Sequence, residues 1–265
     1  MSIPNLPLKF VAVSPIQNGV FLITLNKPQT GNSMHPRLTQ DLLTSLQWAD
    51  QQSSIRVIVV TGAGKFFCTG MELVERGPMA FGPDSTFRAL NRLLILTDKI
   101  LIAAVNGPAV GYGVTSLGLF DLVYSVPDAY FFTPFVKWGM TTEGCSSITF
   151  PRMMGHQKAA LLCLAGDRID ANEASGLGLV SKVLPNDGFL NSVLGIANNV
   201  AKSSPGSLAT TKRLMKTMSV QDLLDANDRE CEAFEKERIP SGDLELAIKT
   251  FAEEQKEKQK AKSKL

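Results

Sequence analysis

The sequence has 265 residues, of which 44% are hydrophobic, and its 27 basic and 25 acidic residues nearly cancel. A chain of this size can bury a full core without disulfides or metals, and it favours one large domain with an appendage. The charge balance gives no indication of nucleic-acid binding, although a local basic patch for an anionic ligand is compatible with it.

Cysteine spacing and the chain start indicate a reducing or intracellular compartment. The four cysteines form no CxxC pair, and no basic-then-apolar secretion signal opens the sequence. The longest apolar stretch, residues 100–126, is broken by Asn106-Gly107-Pro108 and by Asp121. We therefore interpret it as buried core and expect no membrane span.

The first half of the chain alternates strand and helix patterns. Apolar residues at helical spacing predict a helix from Arg37 to Gln51, and a second helix is predicted over residues 114–120. Short apolar runs closed by Gly, Pro or Asp turns predict strands. These runs are residues 20–25, 56–61, 101–105, 121–126 and 130–132.

Beyond Gly144 the pattern becomes mostly helical. Helices are predicted for residues 189–201, 206–217, 220–236 and 244–258, with breaks at Pro205 and at Pro240-Ser241-Gly242. We therefore divide the chain into a core domain (residues 1–200), a C-terminal helical region (201–260) and a tail (261–265).

The tail ends in Ser263-Lys264-Leu265, which matches the peroxisomal targeting signal that an import receptor reads at a C-terminus. We expect that receptor as a partner and the peroxisome as the location.

Several kinds of site have little support. Gly62-Ala63-Gly64 begins like a dinucleotide fingerprint, but Phe67 stands at the third glycine position and no phosphate-binding loop follows. His35 and His156 lie where helices are predicted to start, so we interpret them as capping or surface residues and expect no metal. The sequence has no GxSxG motif of the kind that carries a catalytic serine, so no motif supports a Ser-His-Asp triad.

Two glycine-containing turns follow buried strands and carry the most informative motifs. The first is KFFCTGMEL, residues 65–73, and the second is VNGPAVGYG, residues 105–113. Both resemble signature segments of the crotonase (enoyl-CoA hydratase/isomerase) superfamily, and the likeness runs from Asn26 to about Val183. The resemblance implies an α/β fold, a crotonase-type spiral of repeated ββα units with a C-terminal helical appendage, assembled as a homotrimer or hexamer.

The same resemblance implies an oxyanion hole made of one main-chain amide from each turn. In this sequence the two donors would be the N–H groups of Met71 and Tyr112, which are larger than the residues usual at these positions. Glycines allow the backbone to approach a ligand closely, and the second amide would lie near a helix N-terminus whose dipole favours a negative oxygen.

Water addition in this superfamily uses two carboxylates, but the corresponding positions here are Thr115 and Phe135. The segment WGMTTEGCSS, residues 138–147, instead resembles the one that carries the catalytic glutamate of peroxisomal Δ3,Δ2-enoyl-CoA isomerases, and it offers Glu143. The resemblance implies an isomerase that moves a proton from C2 to C4 of a 3-enoyl-CoA in fatty-acid oxidation, giving trans-2-enoyl-CoA. Without it, Glu143 would be interpreted as an exposed acid near a helix start.

The acyl-CoA substrate is expected to lie along the loop of residues 30–34 and both turns, with coenzyme A entering as part of the substrate and no separate cofactor. Glu72, beside the first amide, is a rival base with an expected structural role. The predicted substrate contacts are Asn32, Met34, Phe66, Cys68, Thr69, Gly70, Met71, Glu72, Gly111, Tyr112 and Phe135. Further candidates are Phe132 and Trp138 for the acyl channel, and Phe251 and Lys256 for the coenzyme of a neighbouring subunit.

Two alternatives stay open. Another crotonase-type reaction, such as dienoyl-CoA isomerisation, thioester hydrolysis or a secondary-metabolite step, would keep the amide pair and change the acyl pocket. A non-catalytic acyl-CoA-binding protein would bind the ligand without shifting a double bond.

Overall fold

A computed structural model describes residues 6–72, 80–216, 219–250 and 253 of the chain. Among the described residues, its strands lie between Val11 and Val183. They are β1 (Val11–Val13), β2 (Val20–Leu25), β3 (Val57–Gly62), β4 (Ile100–Val105), β5 (Ala109–Val110), β6 (Leu122–Ser125), β7 (Tyr130–Phe132), β8 (Ile169–Asp170) and β9 (Lys182–Val183). All five predicted strands are confirmed, whereas the shorter β1, β5, β8 and β9 were not predicted.

The larger sheet has the strand order β1-β2-β3-β4-β6-β9, and its strands are parallel except for the antiparallel edge pair β1 and β2. In its centre Ile23 pairs with Val60, and Val60 pairs with Ala103. Every residue of β3 and β4 is buried, which explains why both strands are continuous apolar runs. A smaller sheet has the order β5-β7-β8.

Helices cover the sheets and dominate the C-terminal part. The α-helices are α1 (Pro36–Gln51), α2 (Thr86–Leu96), α3 (Tyr112–Thr115), α4 (Ser146–Met154), α5 (His156–Ala160), α6 (Ala171–Gly176), α7 (Phe189–Ala201), α8 (Pro205–Lys216), α9 (Val220–Ala233) and α10 (Ile239–Ser241). Residues 243–250 are also helical. In α1 the predicted apolar positions Leu38, Leu42, Leu46 and Ala49 are all buried.

Three helix predictions need correction. Helix α2 was not predicted, and the helix predicted over residues 114–120 begins earlier, at Tyr112, and becomes a 3₁₀ helix over Ser116–Leu119. The helix predicted over residues 220–236 is longer, because α9 continues through a π-helical segment, Phe234–Arg238, into α10, and of the break predicted at Pro240-Ser241-Gly242 only Gly242 ends the helix. Pro240 is tolerated in the first turn of α10, and the break comes at Gly242, whose φ is 77°.

Both histidines occupy the positions predicted for them. His35 caps α1, where its Nδ1 accepts a hydrogen bond from the Arg37 main-chain N–H at 3.0 Å, and His156 is exposed at the start of α5. Phe251, Lys256 and the Ser263-Lys264-Leu265 tail lie outside the described residues. The division of the chain into three regions stays a prediction.

Within the described ranges, no helix combines the length and hydropathy needed to cross a bilayer. The same residues contain no group of three or more His, Cys, Asp or Glu side chains placed to hold a metal ion. All four cysteines are buried free thiols.

Candidate active site

The two glycine turns lie against each other. The Val110 main-chain N–H donates to the Cys68 carbonyl at 2.9 Å, and the Phe67 N–H donates to the Pro108 carbonyl at 3.1 Å. A β-carbon on Gly70 would lie only 2.8 Å from the Val110 carbonyl oxygen, and the φ of Gly70 is 79°. Glycine is therefore required here both for its conformation and for its lack of a side chain.

The two predicted oxyanion donors follow Gly70 and Gly111 directly. Residues on either side of Met71 pair with Met34, since Met34 N–H donates to the Gly70 carbonyl at 2.7 Å and Glu72 N–H donates to the Met34 carbonyl at 3.2 Å. Tyr112 is the first residue of α3. In the described part of the chain, neither the Met71 nor the Tyr112 N–H donates to another main-chain group. Both amides are therefore available to a ligand oxygen.

A cavity of about 380 Å³ opens between the two turns. This volume lies in the range of small-molecule sites. Six of the predicted site residues line it, namely Thr69, Gly70, Met71, Gly111, Phe135 and Glu143. Phe132 and Trp138, the candidate channel aromatics, line it as well.

Glu143 is buried, with 3% of its surface exposed, and is not the exposed acid that its position alone would suggest. Its Oε2 has no hydrogen-bond partner among the described residues. Burial is the main cause that raises the pKa of this carboxyl to about 8, and the negative charge of Glu230 adds to the shift. A carboxyl with such a pKa is poised to exchange a proton near neutral pH.

The turn that carries Glu143 is held by a residue distant in sequence. Gly144 and Cys145 adopt successive left-handed conformations, with φ values of 61° and 64°, just before α4 begins. The Glu230 carboxylate, from α9, accepts hydrogen bonds from the main-chain N–H groups of Cys145 at 2.7 Å and Ser147 at 2.8 Å. It thereby satisfies two amides at the N-terminal end of α4.

Two predicted contact residues stabilise the loops around the cavity. The Asn32 side chain accepts from the Lys27 N–H at 2.9 Å and donates to the carbonyls of Ala63 and Phe66 at 2.9 and 2.8 Å. Glu72 forms an ion pair with Lys27 and accepts from the Ser33 hydroxyl at 3.1 Å. Neither residue lines the cavity, and Glu72 already has a charged partner, as expected of a structural residue.

Other predicted contacts turn toward the core. Met34, Cys68 and Tyr112 line a separate interior cavity of about 30 Å³. Burial is the main cause that raises the pKa of Cys68 to about 12 and that of Tyr112 well above 10, so both side chains stay neutral. Phe66 is half-buried beside the first turn, whereas Thr115 is fully buried.

Sequence reasoning missed four residues that line the 380 Å³ cavity, which are Val110, Pro134, Lys137 and Met140. Lys137 lies in a short 3₁₀ helix, Val136–Trp138, which no sequence pattern marked, whereas Met140 was within the quoted motif of residues 138–147. Val110 was within a quoted motif, and its place between two glycine positions was the available signal.

Comparisons with known proteins identify the family of this chain. The family model described as enoyl-CoA hydratase/isomerase matches residues 15–262. Enoyl-CoA delta isomerase 2 of Rattus norvegicus is 36% identical over 222 residues, which cover 81% of this chain and 56% of that protein. Peroxisomal enoyl-CoA delta isomerase 3 of Mus musculus is 33% identical over 242 residues, covering 89% of this chain and 76% of that protein.

Among solved structures, an enoyl-CoA hydratase/isomerase from Pseudoalteromonas atlantica superposes with a TM-score of 0.87 at 30% identity, covering 93% of this chain and 98% of that one. The predicted crotonase-type fold and the superfamily resemblance are thus confirmed. The chain belongs to the enoyl-CoA hydratase/isomerase family.

Proposed function

We propose that the protein is a Δ3,Δ2-enoyl-CoA isomerase of fatty-acid oxidation with Glu143 as its single acid–base residue. The observation that carries this proposal is the position of one buried carboxyl in the cavity between the two glycine turns. Glu143 is the one carboxylic acid among the described residues that line this cavity.

The proposed reaction follows from the two main-chain amides and the Glu143 carboxyl. The thioester oxygen of a 3-enoyl-CoA accepts hydrogen bonds from the Met71 and Tyr112 amides, so that C2 becomes acidic. The ionised Glu143 removes a proton from C2, the dienolate is held by the amides, and the same carboxyl returns the proton at C4. Each amide donor is worth about 2.7–4 kcal/mol of transition-state stabilisation in comparable sites.

Isomerisation is favoured over hydration because it requires only one carboxyl. The positions at which hydratases of this family would hold a water between two carboxylates are occupied here by Thr115 and Phe135, both buried. An apolar Phe135 in the cavity wall keeps water away from the dienolate. The relatives named enoyl-CoA delta isomerases support the same choice.

The test is incubation with 3-hexenoyl-CoA and 3-decenoyl-CoA, with the conjugated product followed by absorbance. Glu143→Gln, which keeps the size and removes the base, is expected to lower kcat at least 100-fold. Glu232→Gln removes an exposed carboxyl from α9 and serves as the control with unchanged turnover. Unchanged turnover in Glu143→Gln would exclude this residue as the base, and hydration, hydrolysis or binding without a double-bond shift would identify one of the alternative functions.

Location and assembly complete the proposal. A mouse relative named as peroxisomal and the Ser263-Lys264-Leu265 tail support import into peroxisomes. A fluorescent protein fused to the N-terminus should enter peroxisomes, and deletion of Leu265 should leave it outside. Light scattering should give a mass three or six times that of one chain, as expected of a homotrimer or hexamer, and the mass of a monomer would contradict this assembly.

A further inference from the structure

One face of α9 contacts both halves of the catalytic apparatus. Leu223, Asn227 and Glu230 recur at helical spacing and are all buried. The sequence patterns had placed this helix in the C-terminal helical region, and none of these three residues was among the predicted site residues. The contacts of these three residues lead instead to Glu143 and to Tyr112.

The first set of contacts holds the turn that carries Glu143. Glu230 accepts the hydrogen bonds from Cys145 and Ser147 described above, and the Cys145 thiol donates to the Leu223 carbonyl at 3.3 Å. Cys145, whose φ of 64° is uncommon for a residue other than glycine, is thus held through both its main chain and its side chain by α9. It lies two residues from the base.

The second set of contacts reaches the oxyanion donor. The Tyr112 hydroxyl donates to the Asn91 side-chain oxygen at 2.7 Å, and the Asn91 side-chain amide donates to the Asn227 oxygen at 2.9 Å. The Asn227 amide donates in turn to the Arg88 carbonyl at 3.3 Å. Tyr112, Asn91 and Asn227 are all buried, so each hydrogen bond in this chain restricts the next.

A row of aromatic rings leads from the end of α9 to Tyr112, in addition to this hydrogen-bond chain. Phe234, directly after α9, stacks on Phe81 with ring centroids 4.3 Å apart. Phe81 meets Phe87 edge-on at 5.3 Å, and Phe87 packs against the Tyr112 ring at 4.9 Å. These contacts fix the Tyr112 ring from the side, while the hydrogen-bond chain fixes its end.

We propose that α9 is the positioning element of the active site, with Glu230 fixing the Glu143 turn and Asn227, through Asn91, fixing Tyr112 and its oxyanion amide. This inference rests on the proposed roles of Glu143 and Tyr112. A single rigid helix that holds both groups sets the distance between the base and the dienolate oxygen. Misplacement of catalytic groups by about 1 Å costs on the order of 100-fold in rate, which is why such support matters.

Glu230 also acts on the charge of Glu143. Besides burial, the charge of Glu230 from α9 raises the pKa of Glu143, and Glu143 in turn raises the pKa of Tyr112 in α3 and of Cys68 in the first turn. The phenol and the thiol are neutral, so Glu230 supplies the negative charge. Hydrogen bonds from Ser147 and Cys145 and the nearby Arg229 favour the ionised form of Glu230 against the burial that raises its pKa. Removing this charge should let Glu143 ionise at lower pH.

The first experiment compares Glu230→Gln with Asp225→Asn, which removes a carboxyl from the exposed side of the same helix. Glu230→Gln should lower kcat about tenfold or more with KM nearly unchanged, and it should shift the pH midpoint of the rate downward. Asp225→Asn should change neither. An unmoved midpoint or an unchanged kcat in Glu230→Gln would overturn the inference.

The same shift is measurable without turnover, by ¹³C NMR titration of carboxyl-labelled protein with Glu143 assigned from Glu143→Gln. If the wild type shows no isomerase activity, the proposed function fails while this titration still tests the effect of Glu230. Activity with an unmoved Glu143 titration in Glu230→Gln would reject the positioning role alone.

The second experiment is a double-mutant cycle on kcat with Asn227→Ala and Tyr112→Phe. The Tyr112→Phe change removes one oxygen and keeps the ring contacts, so it also tests the chain should Asn227→Ala not fold. Each variant should lower kcat several-fold, and the double variant should be no worse than either one, because both break the same chain. Additive losses, or a change confined to KM, would overturn this part of the inference.

Discussion

The Glu143 carboxyl oxygen Oε1 lies 3.7 Å from the point that a β-carbon on Gly111 would occupy. The base therefore faces the second glycine turn, one residue before the amide of Tyr112. The backbone of Gly111 has φ 53° and ψ −120°, a conformation that residues with side chains rarely adopt. Base and oxyanion donor are thus brought together by a position that only glycine fits.

Gly111→Ala is expected to lower kcat at least 100-fold, because the new methyl group strains the turn and fills the space in front of Glu143. Steady-state kinetics with 3-hexenoyl-CoA measures this loss. Gly195→Ala is the control, since among the described residues no atom outside the adjoining backbone of α7 lies within 4 Å of its β-carbon position. The control should keep full turnover and gain about 0.5–1 kcal/mol in unfolding free energy.

The rate should depend on pH through the ionisation of Glu143. Its pKa is raised to about 8, so at pH 6 most molecules carry a protonated carboxyl that cannot accept a proton. We expect kcat/KM to rise about tenfold per pH unit below the midpoint and to level off above pH 8. A rate profile flat from pH 5.5 to 9.5 would contradict Glu143 as the base.

Stability should depend on pH in the opposite sense. The folded pKa of Glu143 lies above the unfolded value of 4.5, so between pH 4.5 and about 8 the folded state holds a proton that the unfolded state has released. The wild type therefore loses unfolding free energy as pH rises, by at most about 1.4 kcal/mol per unit from this group. Glu143→Gln should match the wild type near pH 4 and exceed it at pH 8 in urea unfolding. Parallel stability curves would argue against a buried, protonated carboxyl.

The ion pair of Lys27 and Glu72 should matter for stability. Their side chains are only 9% and 12% exposed, so Glu72→Gln leaves a nearly buried ammonium without its partner charge. We expect a loss of about 3 kcal/mol in unfolding free energy. The double variant Lys27→Met/Glu72→Leu should recover part of it. The exposed pair of Lys236 and Glu232 is the comparison, and Glu232→Gln should cost below about 0.5 kcal/mol.

Sequence patterns predicted the central strands well because burial on both faces makes β3 and β4 continuous apolar runs. They failed at β5, β8 and β9, which are two residues long and have no periodicity to detect. The sequence patterns also missed α2 (Thr86–Leu96). Of the break predicted at Pro240-Ser241-Gly242, only Gly242 ends the helix, because proline is compatible with a first helical turn.

In the site, the glycine turns and Glu143 were predictable because their chemistry is tied to local motifs. The burial of Glu143 was not, because it depends on the packing of α9 against α4. Asn227 and Glu230 lie more than 80 residues from the turn that they support or from Tyr112, and single-sequence periodicity carries no information on such contacts. Asn32 and Glu72 were predicted as substrate contacts from their positions in the sequence, whereas the hydrogen bonds that engage their polar atoms appear only in three dimensions.

The burial of all four cysteine thiols affects how the protein reacts with oxidants. Burial raises the pKa of Cys163 to about 11 and that of Cys231 to about 12, Cys68 also lies near 12, and Cys145 is raised further. Since peroxide and alkylating reagents attack cysteine as the thiolate, the folded protein presents them with almost no reactive thiol. Oxidation or alkylation of these four cysteines therefore requires the chain to open, so the rate of thiol labelling measures how often the chain unfolds.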